Sequence, residues 1–314
     1  MEITMAELDI KELLKRLDTP EQTVAEAEAD YERKVADIAQ RVVASDSIRV
    51  ILLGGPSGSG KTTTANLIAD EIRERGEKSL VVSLDNFYLS SDDERYPKLE
   101  NGERDFESPY ALDIDLLLAT LEKIIGGEPF AIPRYDFKVG GRVEGEQYES
   151  FSDGCVIIEG IHALNPILSD PCPEGSVLKL FVSVSTNINE CGKRLISGKR
   201  LRFVRRMVRD NIYRGATAEK TLELWVNVLA GEERYLYPFK ETADVKFDTF
   251  HMFEPAVLKP FAEKLLTEEI CAASPFTRSV AEALGRIKPL PVAAVPETSL
   301  IREFIPGGIY EDLY

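Results

Sequence analysis

Gly55-Pro56-Ser57-Gly58-Ser59-Gly60-Lys61-Thr62 fits the pattern GxxxxGK[ST] at every fixed position. Glycines at these places let backbone N–H groups turn inward around phosphate oxygens with no Cβ in the way. A helix starting where the loop ends adds the partial positive charge of its N-terminus. Lys61 is then placed to reach the β- and γ-phosphates, and the Thr62 hydroxyl to ligate Mg²⁺. The chemistry this segment could do is to hold a nucleoside triphosphate by its phosphates.

Two carboxylates extend that chemistry. Asp85 follows the apolar run SLVVSL, and Glu159 follows CVII. Carboxyl ends of strands are where open α/β sheets place their ligands. Both strands are expected beside the strand that carries the loop. Asp85 suits a general base that takes a proton from an acceptor hydroxyl. Glu159 suits Mg²⁺, held directly or through water. A third feature is a local reversal of charge. Residues 193 to 214 hold nine basic residues and one acid, Asp210. Arg202, Arg205, Arg206 and Arg209 recur there at helical spacing, as a mobile lid over migrating phosphate would require.

These residues need elements to position them. Ile48 to Leu53, Ser79 to Leu84, Cys155 to Glu159, Leu178 to Val184 and Asp244 to Thr249 read as five short strands. Helical spacing spans Thr62 to Arg75 and Leu112 to Ile125, the second stopped by Gly126-Gly127. The alternation predicts an α/β fold, a parallel five-stranded sheet covered on both faces. Residues 128 to 150 break the rhythm and read as a flap hairpin, and 193 to 230 as the lid. The expected organisation is a helical extension over 1–45, a kinase-like P-loop domain over 46–252, and a helical, Pro-rich tail over 253–314. In the extension, Thr19 and Pro20 open a helix whose apolar positions run Val24, Ala27, Tyr31, Val35, Ile38 and Val42. It packs on the core or joins two copies in a homo-oligomer.

The chain has 314 residues and a net charge of −16, which argues against a general nucleic-acid binder or an anionic membrane surface as partner. No stretch is apolar for long enough to span a bilayer, and the acidic N-terminus lacks the pattern of a secretory signal. Cys155, Cys172, Cys191 and Cys271 match no zinc or CxxC spacing and read as reduced thiols of a cytoplasmic protein. His162 and His251 are too few for a His-rich metal site. Outside residues 193 to 214 the chain carries −24, so positive charge is concentrated in one segment.

GGPSGSGKTT, SLDNFY, RDFESPYALD, PRYDF, VIIEGIHAL and RRMVRD occur in the order found in the uridine kinase and phosphoribulokinase family. The chain resembles its uridine-kinase-like branch over roughly residues 48 to 250. The tail, with SLIREF, looks like bacterial members in which the kinase follows a small synthetase-like module; residues 1–45 are too short and too helical to be that module. The resemblance implies ATP and Mg²⁺ as cofactors and a small-molecule hydroxyl acceptor. It implies ATP contacts from Gly55, Pro56, Ser57, Gly58, Ser59, Gly60, Lys61, Thr62 and Thr63, with Mg²⁺ at Thr62 and Glu159. Asp85 falls on the family's catalytic aspartate, with Lys61, Arg206 and Arg209 as further catalytic groups. Asp85, Tyr88, Phe106, Glu107, Tyr135, Arg206 and Arg214 are implied around the acceptor.

Departures bear on the substrate. The family's sugar-binding aspartate is Glu107, and its base-contacting histidine is Gly140. Two further polar contacts to the base align with Ala216 and Leu224. A site that reads a base must pair the base's donors and acceptors. Either other groups read it, such as Lys138, Arg142 or Trp225, or the acceptor is not uridine. Three readings follow: a kinase of uridine, cytidine or a related nucleoside; the same reaction on a sugar or polyol; and a nucleotide-binding regulatory module.

Overall fold

The computed structural model describes residues 6–99, 102–136 and 138–313. The first five residues of the N-terminal stretch and Phe137 of PRYDF lie outside the described residues. The chain opens with strand β1 (Glu7–Asp9) and helix α1 (Ile10–Arg16), capped by the Asp9 carboxylate on the Lys11 N–H. In α2 (Pro20–Val43), Val24, Tyr31, Val35, Ile38 and Val42 are buried, as their spacing predicts. Thr19 holds the N-cap position, but its hydroxyl donates to the Arg16 carbonyl and caps nothing.

Buried throughout, β2 (Val50–Gly54) leads through the glycine loop into α3 (Lys61–Glu74). A 3₁₀ turn, Leu84–Phe87, continues β3 (Lys78–Ser83). Asp113 caps α4 (Ile114–Gly126), and Gly127 stops it with a left-handed φ of 67°. The hairpin β4 (Phe130–Asp136) and β5 (Gly141–Tyr148) stands where composition predicts a flap. Then come β6 (Gly154–Glu159), α5 (Pro166–Ser169), β7 (Val177–Ser183), β8 (Asn187–Glu190) and β9 (Lys193–Ile196). Two long helices follow, α6 (Gly198–Arg214) and α7 (Ala218–Tyr235). The chain ends in β10 (Val245–Asp248), α8 (Glu254–Leu265), α9 (Glu268–Ala273), α10 (Pro275–Gly285) and short 3₁₀ turns.

The main sheet is parallel, in the order β10-β7-β2-β6-β3. Leu53 pairs with Glu159, and Glu159 with Ser83, so the loop, Glu159 and the residues before Asp85 reach one level at the carboxyl edge. This corrects one expectation: β6 lies beside the loop strand, but β3 is one strand further out. One apolar cluster packs α2, α3, α6, α8 and the tail to Ile305 on one face; a second packs α4 and the hairpin on the other.

A second correction concerns the lid. Residues 193–196 form strand β9, paired with β8, which in turn pairs with β1. Leu201, Phe203, Val204, Met207 and Val208 of α6 are buried in the main cluster. The arginine-rich segment is thus a core helix with one face at the cleft. Apolar residues between the arginines impose this, because a helix carrying them must bury that stripe.

Candidate active site

The loop is built by its glycines and by what stands behind it. Gly58 and Gly60 have φ of 71° and 85°, and Gly60 is the N-cap of α3. A Cβ on Gly55 would lie 2.1 Å from the Val182 carbonyl, and one on Gly58 2.7 Å from that of Arg202. The loop therefore lies directly on β7 and α6, with no room for side chains behind it. The Lys61 ammonium donates to the Pro56 carbonyl at 3.2 Å, folded across the loop. Burial lowers its pKa, opposed by the carboxylates of Glu159, Glu303 and Glu232.

Buried ion pairs brace this cradle. Arg202 makes two bonds to Glu232, at 2.8 and 2.9 Å, and one to the Ser57 carbonyl at 2.8 Å. Glu232 also accepts the Ser57 N–H at 2.8 Å, and Arg206 donates to the Ser57 hydroxyl at 2.8 Å. Arg205, with no solvent exposure, pairs with Glu254 at 2.7 Å and donates to the Gly58 and Thr249 carbonyls at 3.3 and 2.9 Å. Thr249 in turn donates to the Ser59 carbonyl at 2.7 Å. Paired, hydrogen-bonded charges of this kind hold a geometry tightly, whatever their net stabilisation.

Two carboxylates face the loop. Glu159 is buried at the end of β6, with its Oε1 3.5 Å from the Thr62 hydroxyl. Burial pushes its carboxyl up to about 7; Lys61 opposes the shift and Asp85 adds to it. Asp85 opens to the cleft with protein around most of its carboxylate, and this enclosure raises its pKa against the pull of Lys61 and Arg214. Among the described residues no group of three or more His, Cys, Asp or Glu could hold a metal. Thr62 and Glu159 fit Mg²⁺ nonetheless, since that ion is usually held by one or two protein oxygens plus phosphate and water.

The remaining candidates divide. Glu107 is half-buried, near Arg206 and close to Gly231 of α7. Tyr88 and Tyr135 meet edge to face at 5.8 Å, and exposed Phe106 meets Tyr96 at 5.4 Å. Arg214 is half exposed, 3.4 Å from Asp210. Arg209 is turned to Asp210 at 2.9 Å and Glu303 at 3.8 Å. Thr63 is also drawn away from the loop, its hydroxyl donating to Glu303 at 2.8 Å. Of the substitute base readers, Trp225 is buried against Phe203 and Arg202, and Arg142 is paired with Asp113 at 2.8 Å. Lys138 stands exposed on the hairpin tip, where Gly140 has a φ of 71°. On the β7 side of the loop a cleft of about 530 Å³ is lined by Pro56, Ser183, Lys199, Arg202 and Tyr237.

Sequence reasoning missed Glu232, Glu254 and Glu303, the anions that organise the loop. Each is a single carboxylate with no local pattern, and its partner is 30 to 240 residues away. Only Glu303 lay in a segment that stood out, SLIREF.

Residues 50–253 match the model of the Phosphoribulokinase / Uridine kinase family. The chain is 32% identical to the uridine kinase of Borrelia hermsii over 63% of its own length and 85% of that protein. It is 30% identical to uridine kinase-like protein 5 of Arabidopsis thaliana over 62% of itself but only 38% of that longer protein. Among solved structures it resembles D-glycerate 3-kinase from Cryptococcus neoformans, at 16% identity and a TM-score of 0.45, over 65% of this chain and 87% of that one. No helix among the described residues is long and apolar enough to cross a membrane. With the glycine loop on its parallel sheet and the family match over residues 50–253, the chain belongs to the phosphoribulokinase/uridine kinase family and is a phosphotransferase with a hydroxyl acceptor.

Proposed function

We propose that the chain transfers the γ-phosphoryl group of ATP to the 5′-hydroxyl of a pyrimidine nucleoside, uridine or cytidine. The observation that carries this reading is the convergence of Lys61, Glu159 and Asp85 at the carboxyl ends of β2, β6 and β3, close enough to perturb one another's charge. The loop N–H groups and Lys61 hold the triphosphate. The cleft on the β7 side receives the purine. Thr62 and Glu159 hold Mg²⁺, which when bound neutralises charge on the β- and γ-phosphates. Asp85 accepts the proton of the acceptor hydroxyl as that oxygen attacks. Arg206 and Arg214 face the transferred group, and Arg209 stands behind them. Glu107 accepts from sugar hydroxyls, and Tyr88, Phe106 and Tyr135 supply aromatic faces for the acceptor. A site that only bound nucleotide would have no use for Asp85. The four cysteines are free, which supports a reducing compartment such as the cytoplasm.

A second reading, the same transfer to a sugar or polyol, is favoured by one observation. The matched base-reading positions are Gly140, Ala216 and Leu224, and Trp225 and Arg142 are committed elsewhere. Turnover of ATP and Mg²⁺ with a panel of nucleosides, sugars and polyols separates the two. Phosphorylation of uridine or cytidine is expected. A flat response to every nucleoside, with turnover of a polyol, overturns the first reading in favour of the second.

A further inference from the structure

The family match ends at residue 253, yet the tail reaches the phosphate loop. Leu300 packs on the loop: a Cβ on Gly60 would lie 2.6 Å from its Cδ1. Phe304 lies under the Arg205 guanidinium at 5.0 Å, and the Tyr213 hydroxyl of α6 donates to the Ile305 carbonyl at 3.1 Å. Between these anchors, buried Glu303 accepts from the Thr63 hydroxyl at 2.8 Å and from its N–H at 3.4 Å, and stands 3.8 Å from Arg209. Thr63 belongs to the first turn of α3, whose N–H groups have no partner inside the helix. A carboxylate from 240 residues away thus caps the helix that carries Lys61 and Thr62.

We propose that Glu303 is a positioning residue for phosphoryl transfer: its carboxylate ties the first turn of α3 to Arg209 of α6 and so fixes the phosphate loop and the arginine helix relative to each other. The tail is then part of the transfer site. An anion so near the phosphates opposes nucleotide binding by charge alone, so its benefit lies in geometry. The expected signature is a loss of turnover with little loss of nucleotide affinity.

The inference rests on the kinase reading only for its kinetic arm. The experiment compares wild type, Glu303→Ala, Glu303→Gln and Lys288→Ala, a tail variant at an exposed pair with Asp18. Misplacement by about 1 Å can cost on the order of 10² in rate. Glu303→Ala should lower kcat about 10- to 100-fold, with KM for ATP changed less than about threefold. Glu303→Gln, which keeps an acceptor for Thr63 but not the charge, should recover part of the loss. Lys288→Ala should match wild type. Amide hydrogen exchange of residues 56–66, read without nucleotide, should be faster in Glu303→Ala than in wild type. Unchanged exchange there overturns the inference, whatever the turnover. So does unchanged kcat with only a lowered melting temperature, the mark of a merely structural role. Absence of phosphoryl transfer by wild type would instead overturn the kinase reading, and the exchange comparison would still decide the role of Glu303.

Discussion

The glycine loop, which follows β2, and the β4–β5 hairpin, which reaches Tyr88 just after Asp85 through Tyr135, are held in opposite ways. Every polar group of Ser57 in the loop is engaged, by Arg202, Arg206 or Glu232. The ion pairs behind it, Arg202–Glu232 and Arg205–Glu254, are at most 3% exposed. The base of the hairpin packs through Phe130 and Ile132, but its outer half is held by partly exposed contacts such as Arg142–Asp113, with Arg142 25% exposed, and it offers Val139 to solvent at its tip. The rigid side is where the phosphoryl group must be placed to a fraction of an ångström. On the looser side residues can change without unfolding the sheet: Gly140 sits there at the hairpin tip, where the family resemblance implies a histidine, whereas Ala216 follows α6 and Leu224 lies on α7. The two sides therefore tolerate change at different cost: a substitution in the loop disturbs buried ion pairs, and one at the hairpin tip does not.

The largest expected effect lies where the two sides meet. Asp85→Asn removes the base and keeps the shape, and turnover should fall by about 10²- to 10⁴-fold. The melting temperature should not fall, since enclosure already disfavours the ionised carboxylate that the substitution removes. Near wild-type kcat in the purified variant would refute Asp85 as the base.

Next comes the brace itself. Arg205→Ala leaves Glu254 buried without its partner, which typically costs about 3–5 kcal/mol of stability. Adding Glu254→Gln should recover part of that, because the uncompensated charge is gone. Urea unfolding of the single and double variants measures both terms. A cost below about 1 kcal/mol for Arg205→Ala would erase the contrast between the loop and the hairpin, since exposed pairs have about that value.

The same contrast governs what could be read from the chain. The glycine loop was legible because backbone geometry demands glycine at fixed spacing, and the sheet because its strands are apolar runs at regular intervals. Asp85 and Glu159 were legible as carboxylates ending such runs. The arginine helix was half legible. Its charges stand out in the chain, but the intervening Leu201, Phe203, Val204, Met207 and Val208 make it a core helix. Its neutralising partners, Glu232, Glu254, and Glu303 opposite Arg209, were invisible, because a long-range ion pair leaves no local pattern. Strand order is not legible for a related reason: adjacency in a parallel sheet is set by crossovers, and no single strand carries its neighbour's name.

The smallest expected effect tests the hairpin side. Arg142 extends from β5 to Asp113, which also caps α4 by accepting from the Leu116 N–H. Arg95 approaches the same carboxylate at 3.3 Å, so Asp113 keeps a cation when Arg142 is removed. The cap therefore survives Arg142→Ala, and the stability loss should stay near that of a partly exposed pair, about 0.2–1 kcal/mol. What the variant loosens is the outer half of the hairpin, where Arg142 pairs across the strands with Tyr135, which packs on Tyr88. KM for the acceptor should rise a few-fold while KM for ATP stays constant, because the loop is held from Arg202 and Arg205 of α6, Glu232 of α7 and Thr249. Steady-state kinetics with each substrate varied in turn reads the two constants separately. Equal shifts in both would mean that the two sides of the cleft are mechanically one.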